Sequence, residues 1–288
     1  MEKFDSIIIG AGPAGIMSAI YLYRSNIKDI CVFSLGPGAL KNAAEIENLY
    51  GFEKISGEEL FNKGIAQAKK LGISVKEEIV THITYLWDSE EIEIKTDKGE
   101  YLAKSLVFAT GKKRNSLNVK GVKELEGNGV SYCATCDGFF YRKKKVAVIG
   151  HKEFAFNEYD YLANLAGEIT LLTNGENLET SRNIDTRKLK ELKEENGQIK
   201  VIFQDDNYIV VDGVFVALGN ASSTDFARQL GIEISENNDI IVNENCQTNI
   251  SNIFAAGDCT GGILQISKAE YQGMIVGMKL GNYLRGKK

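Results

Sequence analysis

Two kinds of polarity pattern alternate along the chain. Residues 5–10, DSIIIG, are an unbroken apolar run that predicts a strand buried on both faces. The next stretch, AGPAGIMSAIYLYRS, places Ile16, Ala19, Ile20 and Leu22 or Tyr23 at helical spacing, and DICVF (29–33) predicts a second strand, which completes a strand, helix, strand unit. A second helix is expected in GEELFNKGIAQAKKLG, with Leu60, Phe61, Ile65, Ala68 and Leu71 turned inward. Between 79 and 109 the pattern shortens to the runs IVTHITYLW, EIEIKT and KSLVFAT, which predict a small antiparallel sheet. VAVIG (146–150) then restarts the first pattern. A helix around FAFNEYDYLANLAG, a strand EITLLT, a helix DTRKLKELKEEN and strands QIKVIFQ and YIVVDGVFVALG follow. The chain closes with NIFAAGD and a helix from about Gly262 to Leu284, whose inward positions are Ala269, Val276, Leu280 and Tyr283. Two similar α/β halves are therefore expected.

Composition narrows the function classes. The 288 residues, 43% hydrophobic and 25% charged, suffice for two cored domains. Two prolines against 29 glycines favour tight turns over disordered linkers. A net charge of -5 opposes nucleic-acid binding, although GKKR (111–114) and RKKK (142–145) are locally basic. The N-terminus MEKFDSIIIG has too short an apolar run for a signal peptide or a membrane span, so a cytoplasmic location is expected. With only five cysteines, a close pair then points to redox or metal chemistry.

The first candidate site is the turn Gly10-Ala-Gly12-Pro-Ala-Gly15, which follows a strand and opens a helix. In such a turn Gly10 permits the sharp bend, Gly12 admits a pyrophosphate close to the backbone, and Gly15 lets helix and strand approach. The helix N-terminus adds free amides and partial positive charge. At the end of the second strand, Ser34 stands where an acidic residue is expected for the ribose. A neutral bond there contributes ~1 kcal/mol, against ~1.5–3 kcal/mol when one partner is charged.

VSYCATCDGFF (130–140) holds the second candidate. Cys133 and Cys136 are spaced to form a small disulfide that opens by exchange, with Asp137 beside them to move a proton. Half of a zinc site would need two further ligands, which His82, His151 and three scattered cysteines supply poorly, so no metal is expected. Cys31 sits in a predicted buried strand as core packing, and Cys246 and Cys259 are expected to fill core.

GAGPAG, ATG at 109–111, CATCDGFF and FAAGD at 254–258 stand in the order found in the low-molecular-weight flavin thioredoxin reductases. Over nearly its whole length the chain resembles that family. The resemblance implies two Rossmann-like, three-layer ββα domains, one inserted in the other. Residues 1–114 and 246–288 would form a discontinuous FAD-binding domain, and 115–245 the inserted one. It further implies a homodimer. Gly10, Gly12, Ala14 and Gly15 would lie on the FAD pyrophosphate, with Ser34, Leu40 and Asn48 along the cofactor and the Ile79 backbone at the adenine. Asp258 would bond the ribityl chain and Gln265 would lie near the flavin. Cys136 would take electrons from FAD, Cys133 would attack the disulfide of thioredoxin, and Asp137 would be the acid/base.

The inserted half departs from the family. VAVIGHKEFA keeps Gly150 and the small Ala155 but has Lys152 where the second glycine of the fingerprint belongs. Past the next strand, where the family carries a histidine and arginines for the NADPH phosphate, stand Thr173, Asn174, Gly175 and Glu179. Losing two charge-assisted bonds of ~1.5–3 kcal/mol each weakens NADPH by roughly two to four decades. This pattern resembles the ferredoxin-dependent, pyridine-nucleotide-independent members. A plant-type ferredoxin near −400 mV passing two electrons to a thioredoxin near −270 mV releases ~6 kcal/mol. Ferredoxins are acidic, so Lys112, Lys113, Arg114 and Arg142 to Lys145 are the candidate docking surface. Two alternatives stay open at this level: an NAD(P)H-dependent enzyme with an unusual pocket, and an oxygen-using oxidase of small dithiols.

Overall fold

The computed structural model describes residues 1–112, 117–132, 134–218 and 223–286. It divides into two compact units, Met1–Lys113 with Ser222–Lys288, and Arg114–Ala221. Each is a mixed α/β layer structure with a five-stranded parallel sheet. The described helices are α1 (Pro13–Arg24), α2 (Gly57–Lys70), α3 (Ala134–Asp137), α4 (Glu153–Ala163), α5 (Ser223–Gln229) and α6 (Ile266–Gly286). No described helix is long and apolar enough to cross a membrane.

In the first unit the parallel sheet runs in the order Ile253–Ala255, Leu106–Phe108, Ser6–Ile9, Ile30–Ser34, Ser74–Glu77. The central runs SIII, LVF and ICVFS are buried throughout, as continuous apolar strands covered on both faces must be. A second sheet pairs Val80–Leu86, Glu91–Thr96 and Glu100–Ala103 antiparallel, and Glu2–Phe4 joins its edge in parallel. KSLVFAT therefore does not extend the small antiparallel sheet. Its Leu106–Phe108 core lies between the first and the last strand of the parallel sheet. The run is apolar at every position, and that marks a doubly covered strand.

The second unit repeats the plan. Ile184–Asp185, Glu168–Leu172, Lys145–Ile149, Gly213–Val216 and Val130–Ser131 form its parallel sheet in that order. Leu189–Glu195, Gln198–Phe203 and Tyr208–Val211 form an antiparallel one. The expected helix DTRKLKELKEEN is thus a strand. Leu189 and Leu192 are three apart, which suits one face of a helix and opposite faces of a regular strand. A bulge between Leu189 and Glu191 shifts the phase by one residue, so Leu189 meets Phe203, Leu192 meets Val201, and both leucines enter the core.

Residues 223–245, grouped from sequence with the inserted half, pack with the first unit. Asn249 binds the Gly231 carbonyl and the Glu233 amide, the Ile240 amide donates to the Cys259 carbonyl, and Lys112 pairs with Asp239 at 2.5 Å. Few of these polar links are visible in hydrophobic periodicity.

Helices α1 and α6 lie against one another in the core of the first unit. Gly273, Gly277 and Gly281 recur every four residues on the α6 face that meets α1. A Cβ at Gly273 would stand 2.4 Å from the Ala14 carbonyl oxygen, one at Gly277 2.4 Å from the Tyr21 Cβ, and one at Gly281 2.5 Å from the Ser25 Cβ. Gly277→Ala is expected to lower stability by about 1–3 kcal/mol through overpacking, although alanine suits a helix interior better by about 1 kcal/mol. Urea unfolding of the holoprotein checks the sign; an unchanged or raised midpoint would show that the seam can spread freely.

Candidate functional site

Of the three glycines in the turn of the first unit, Gly12 alone has open space where a Cβ would stand. A Cβ at Gly10 would meet the Ala109 carbonyl oxygen at 2.2 Å, and one at Gly15 the Gly10 carbonyl oxygen at 1.9 Å. At Gly12 it would meet nothing within 4 Å. Gly12 is also the N-cap of α1, no side chain caps that helix, and Pro13 follows it. Open space above Gly12 and uncapped first-turn amides fit the pyrophosphate of FAD.

The other expected cofactor residues fall in the same unit. Ser34 is buried, and its hydroxyl accepts the Gly36 amide at 3.2 Å. Leu40 packs in a small cluster with Ile46, Leu49 and Ile55. Asn48 donates to Gln265 at 3.2 Å, so two positions 217 residues apart in sequence are brought together. Ile79 is already engaged: its amide donates to the Asp97 carboxylate at 2.8 Å, and its carbonyl accepts the Asp97 amide at 3.0 Å.

Asp258 stands in the short 3-10 turn Asp258–Thr260, between Gly257 (φ 83) and Gly261 (φ 71). Two side chains one turn apart on α6 hold this turn, and sequence reasoning missed both. The Lys268 ammonium donates to the carbonyls of Gly257 at 2.8 Å and Gly261 at 2.7 Å and to the Thr260 hydroxyl at 3.2 Å. Gln272 accepts the Gly257 amide at 2.8 Å and the Thr260 hydroxyl at 3.1 Å. Burial pushes the Lys268 ammonium down from its ordinary range, while the Asp258 carboxylate pulls it back up. The available signal was spacing, since Lys268 and Gln272 are polar residues flanking the inward stripe of α6.

In the second unit, Cys133 lies outside the described residues. The backbone of Ala134–Asp137 forms α3, so the motif turns directly into a helix. Asp137 accepts the Ser131 hydroxyl at 2.7 Å. Burial first, and then the Asp137 carboxylate, push the Tyr141 phenol above its ordinary range. The Ala134 amide donates to Glu158 of α4 at 2.6 Å. Immediately beyond the motif Phe139 and Phe140 are 66% and 69% exposed, next to the exposed Arg142, Lys143 and Lys144. Of the first basic run, Lys112 is paired with Asp239, and Lys113 and Arg114 lie outside the described residues. The three remaining cysteines are buried; burial pushes Cys31 and Cys259 up to about 12 and Cys246 up to about 11, so none is a ready nucleophile.

The second nucleotide-like turn differs from the first in what fills it. Lys152 is the N-cap residue of α4 and is exposed. Thr173 is fully buried and its hydroxyl donates to the Glu176 carbonyl at 2.5 Å. Asn174 accepts the Leu189 amide at 2.8 Å. The guanidinium groups nearby in sequence are paired: Arg182 with Asp160 at 2.6 Å and Arg187 with Asp185 at 2.5 Å, each also through its Nε.

The pyridine nucleotide-disulphide oxidoreductase family matches residues 4–273. Among curated proteins, the thioredoxin reductase of Bacillus subtilis is 34% identical, with 98% of this chain and 95% of that protein covered. Among solved structures, an atypical thioredoxin reductase from Desulfovibrio vulgaris Hildenborough superposes with a TM-score of 0.91 at 33% identity, covering 99% of each chain. A ferredoxin-flavin thioredoxin reductase from Clostridium acetobutylicum gives 0.71 at 32% identity, again over 99% of each chain.

Lys268→Met removes the charged donor from the Gly257–Gly261 turn. Charge-assisted bonds contribute ~1.5–3 kcal/mol, so FAD is expected to bind at least tenfold more weakly. The ratio of flavin to protein absorbance after dialysis measures it, and full retention of FAD would mean the turn holds its shape without Lys268.

Proposed function

The chain belongs to the low-molecular-weight flavin thioredoxin reductases, FAD-binding disulfide oxidoreductases, and we propose that it reduces thioredoxin with electrons from reduced ferredoxin in place of NADPH. The observation that carries this reading is the second nucleotide-like turn. Its Thr173 and Asn174 are spent on their own backbone, its arginines are paired with carboxylates, and Lys152 stands where the fingerprint has glycine. A 2′-phosphate finds no spare guanidinium at the positions that read it in the family. The similarity to a ferredoxin-flavin enzyme of Clostridium acetobutylicum supports the same direction.

FAD, when bound, takes up electrons singly and releases them as a pair. Gly10, Gly12, Ala14 and Gly15 would hold its pyrophosphate, Ser34, Leu40 and Asn48 would line it, and Asp258 and Gln265 would address its ribityl and flavin ends. Because the Ile79 amide is tied to Asp97, a bond from that amide to the adenine would require the bond to Asp97 to be exchanged, whereas the Ile79 carbonyl keeps a second lone pair.

The remaining chemistry belongs to the cysteine pair. Asp137 takes the proton of the Cys133 thiol, the resulting thiolate attacks the thioredoxin disulfide to form a mixed disulfide, and the departing thioredoxin sulfur takes that proton back from Asp137. Cys136, as thiolate, then attacks the Cys133 sulfur, so the second thioredoxin sulfur leaves and the Cys133–Cys136 disulfide is restored. Two electrons pass to thioredoxin in the cycle. Ser131 holds the Asp137 carboxyl in place for that transfer. Phe139 and Phe140 offer thioredoxin an apolar surface next to the pair, and Lys143 and Lys144 offer acidic ferredoxin a charged one. A homodimer is part of the proposal, as in the family.

Anaerobic turnover with reduced ferredoxin and thioredoxin tests the reading. Thioredoxin thiols are expected to accumulate with the wild type and to be lost in Cys136→Ser. Lys143→Glu with Lys144→Glu is expected to slow ferredoxin turnover about tenfold at low salt and to flatten its salt dependence. Thioredoxin reduction by dithionite-reduced enzyme should be unaffected by the charge swap. No thiols with any ferredoxin would sink the donor assignment.

A further inference from the structure

Helix α4 buries Phe154, Ala155, Glu158, Tyr159 and Leu162 on one face. Four of these suit an apolar layer, and they pack with Ala134, Val146, Val148, Leu171 and Phe215. The fifth is a carboxylic acid only 4% exposed. Burying a carboxylate is costly unless it is hydrogen-bonded, and an apolar side chain would fill the layer without that cost. Glu158 spends its Oε2 on the Ala134 amide at 2.6 Å. That amide is the peptide directly after Cys133, inside the Cys-Ala-Thr-Cys sequence.

We propose that Glu158 is a positioning residue for the redox pair: it fastens the peptide between the two cysteines to α4, and its negative charge restrains thiolate formation at Cys133. The inference rests on the reading of Cys133 and Cys136 as the redox-active pair. Its physical basis is short range and low polarity. The bonded amide belongs to the peptide that joins Cys133 to Ala134, and Ala134 and Glu158 are both buried, where charge is weakly screened. A like charge so placed raises a thiol pKa, and the bond also takes up an amide that would otherwise support a thiolate. The other titratable groups about the motif among the described residues include Asp137 of α3, held by Ser131, Tyr141 in the following turn, Asp212 behind Tyr141, and Tyr159 of α4, whose hydroxyl accepts the Asn183 amide. None of them bonds a peptide between the cysteines among the described contacts.

The test compares wild type, Glu158→Gln and a control, Glu153→Gln, at an exposed position on the same helix. Glutamine keeps the volume and an oxygen to accept the Ala134 amide; it removes the charge and puts an NH2 donor in place of the second oxygen. Each holoenzyme is reduced with dithiothreitol, which gives two electrons and two protons to the disulfide and closes to a cyclic disulfide. After anaerobic desalting, iodoacetamide alkylation at Cys133 and Cys136 is followed by mass spectrometry from pH 5 to 10; each thiolate forms a C–S bond and iodide leaves.

For Glu158→Gln the alkylation midpoint is expected to fall by about one pH unit, a tenfold rise in thiolate well below the midpoint, with plateau rate and FAD content unchanged. The control should match the wild type. A midpoint equal to the wild type, or a raised plateau without a shift, would overturn the role of the charge and leave the redox pair intact. A wild type in which Cys133 and Cys136 never form a reducible disulfide would overturn both this inference and the reading on which it rests.

Discussion

Three glycines one helical turn apart set the geometry of the first unit. Because Gly273, Gly277 and Gly281 carry no Cβ, α6 approaches α1 until its backbone meets Ala14, Ser18 and Ser25. The last helix of the chain is thereby locked to the first. Two functional features ride on that seam: the open cradle at Gly12 begins α1, and the Asp258 turn is clamped by Lys268 and Gln272 one face over on α6. The strand pairing of Leu106–Phe108 with both Ser6–Ile9 and Ile253–Ala255 closes the same unit through the sheet. A unit closed by its two chain ends tolerates a whole second unit between residues 113 and 222.

The same strand, turn and helix occurs in both units, with different consequences. In the first turn, only Gly12 opens to free space, and no side chain occupies the helix terminus. In the second, a Cβ at Gly150 would meet Ala155 at 2.6 Å, Lys152 stands at the N-cap position without a capping bond, and Thr173 and Asn174 are bonded to the Glu176 carbonyl and the Leu189 amide. The second turn has kept the close packing of strand and helix at Gly150 and Ala155, with Lys152 at the position of the open Gly12. What this unit contributes instead is Glu158, Ser131 and Asp137 around the cysteine motif.

Much of this was legible in the sequence. The parallel strands announce themselves as unbroken apolar runs and the glycine turn by its place between strand and helix, while CATCD marks the candidate redox pair. Three features were hidden for physical reasons. Leu189–Glu195 carries a helical spacing that a β-bulge converts into a strand spacing, and bulges leave no mark on periodicity. The segment 223–245 joins the first unit through hydrogen bonds and an ion pair, which a hydrophobic pattern does not encode. Lys268, Gln272 and Glu158 act on backbone groups of a neighbouring turn or helix, which side-chain periodicity does not register. Glu158 did leave a trace, since a glutamate stands on the stripe shared by Phe154, Ala155, Tyr159 and Leu162.

The central claim is that the nucleotide-like turn of the second unit no longer serves a nicotinamide. The most direct measurement is anaerobic stopped-flow mixing of oxidised holoenzyme with millimolar NADPH and, separately, NADH, following the flavin band near 450 nm. The account predicts no bleaching on the timescale of turnover with either nucleotide. Fast, saturable bleaching at micromolar NADPH would contradict it, and would mean that Lys152, Thr173 and Asn174 rearrange into a working pocket.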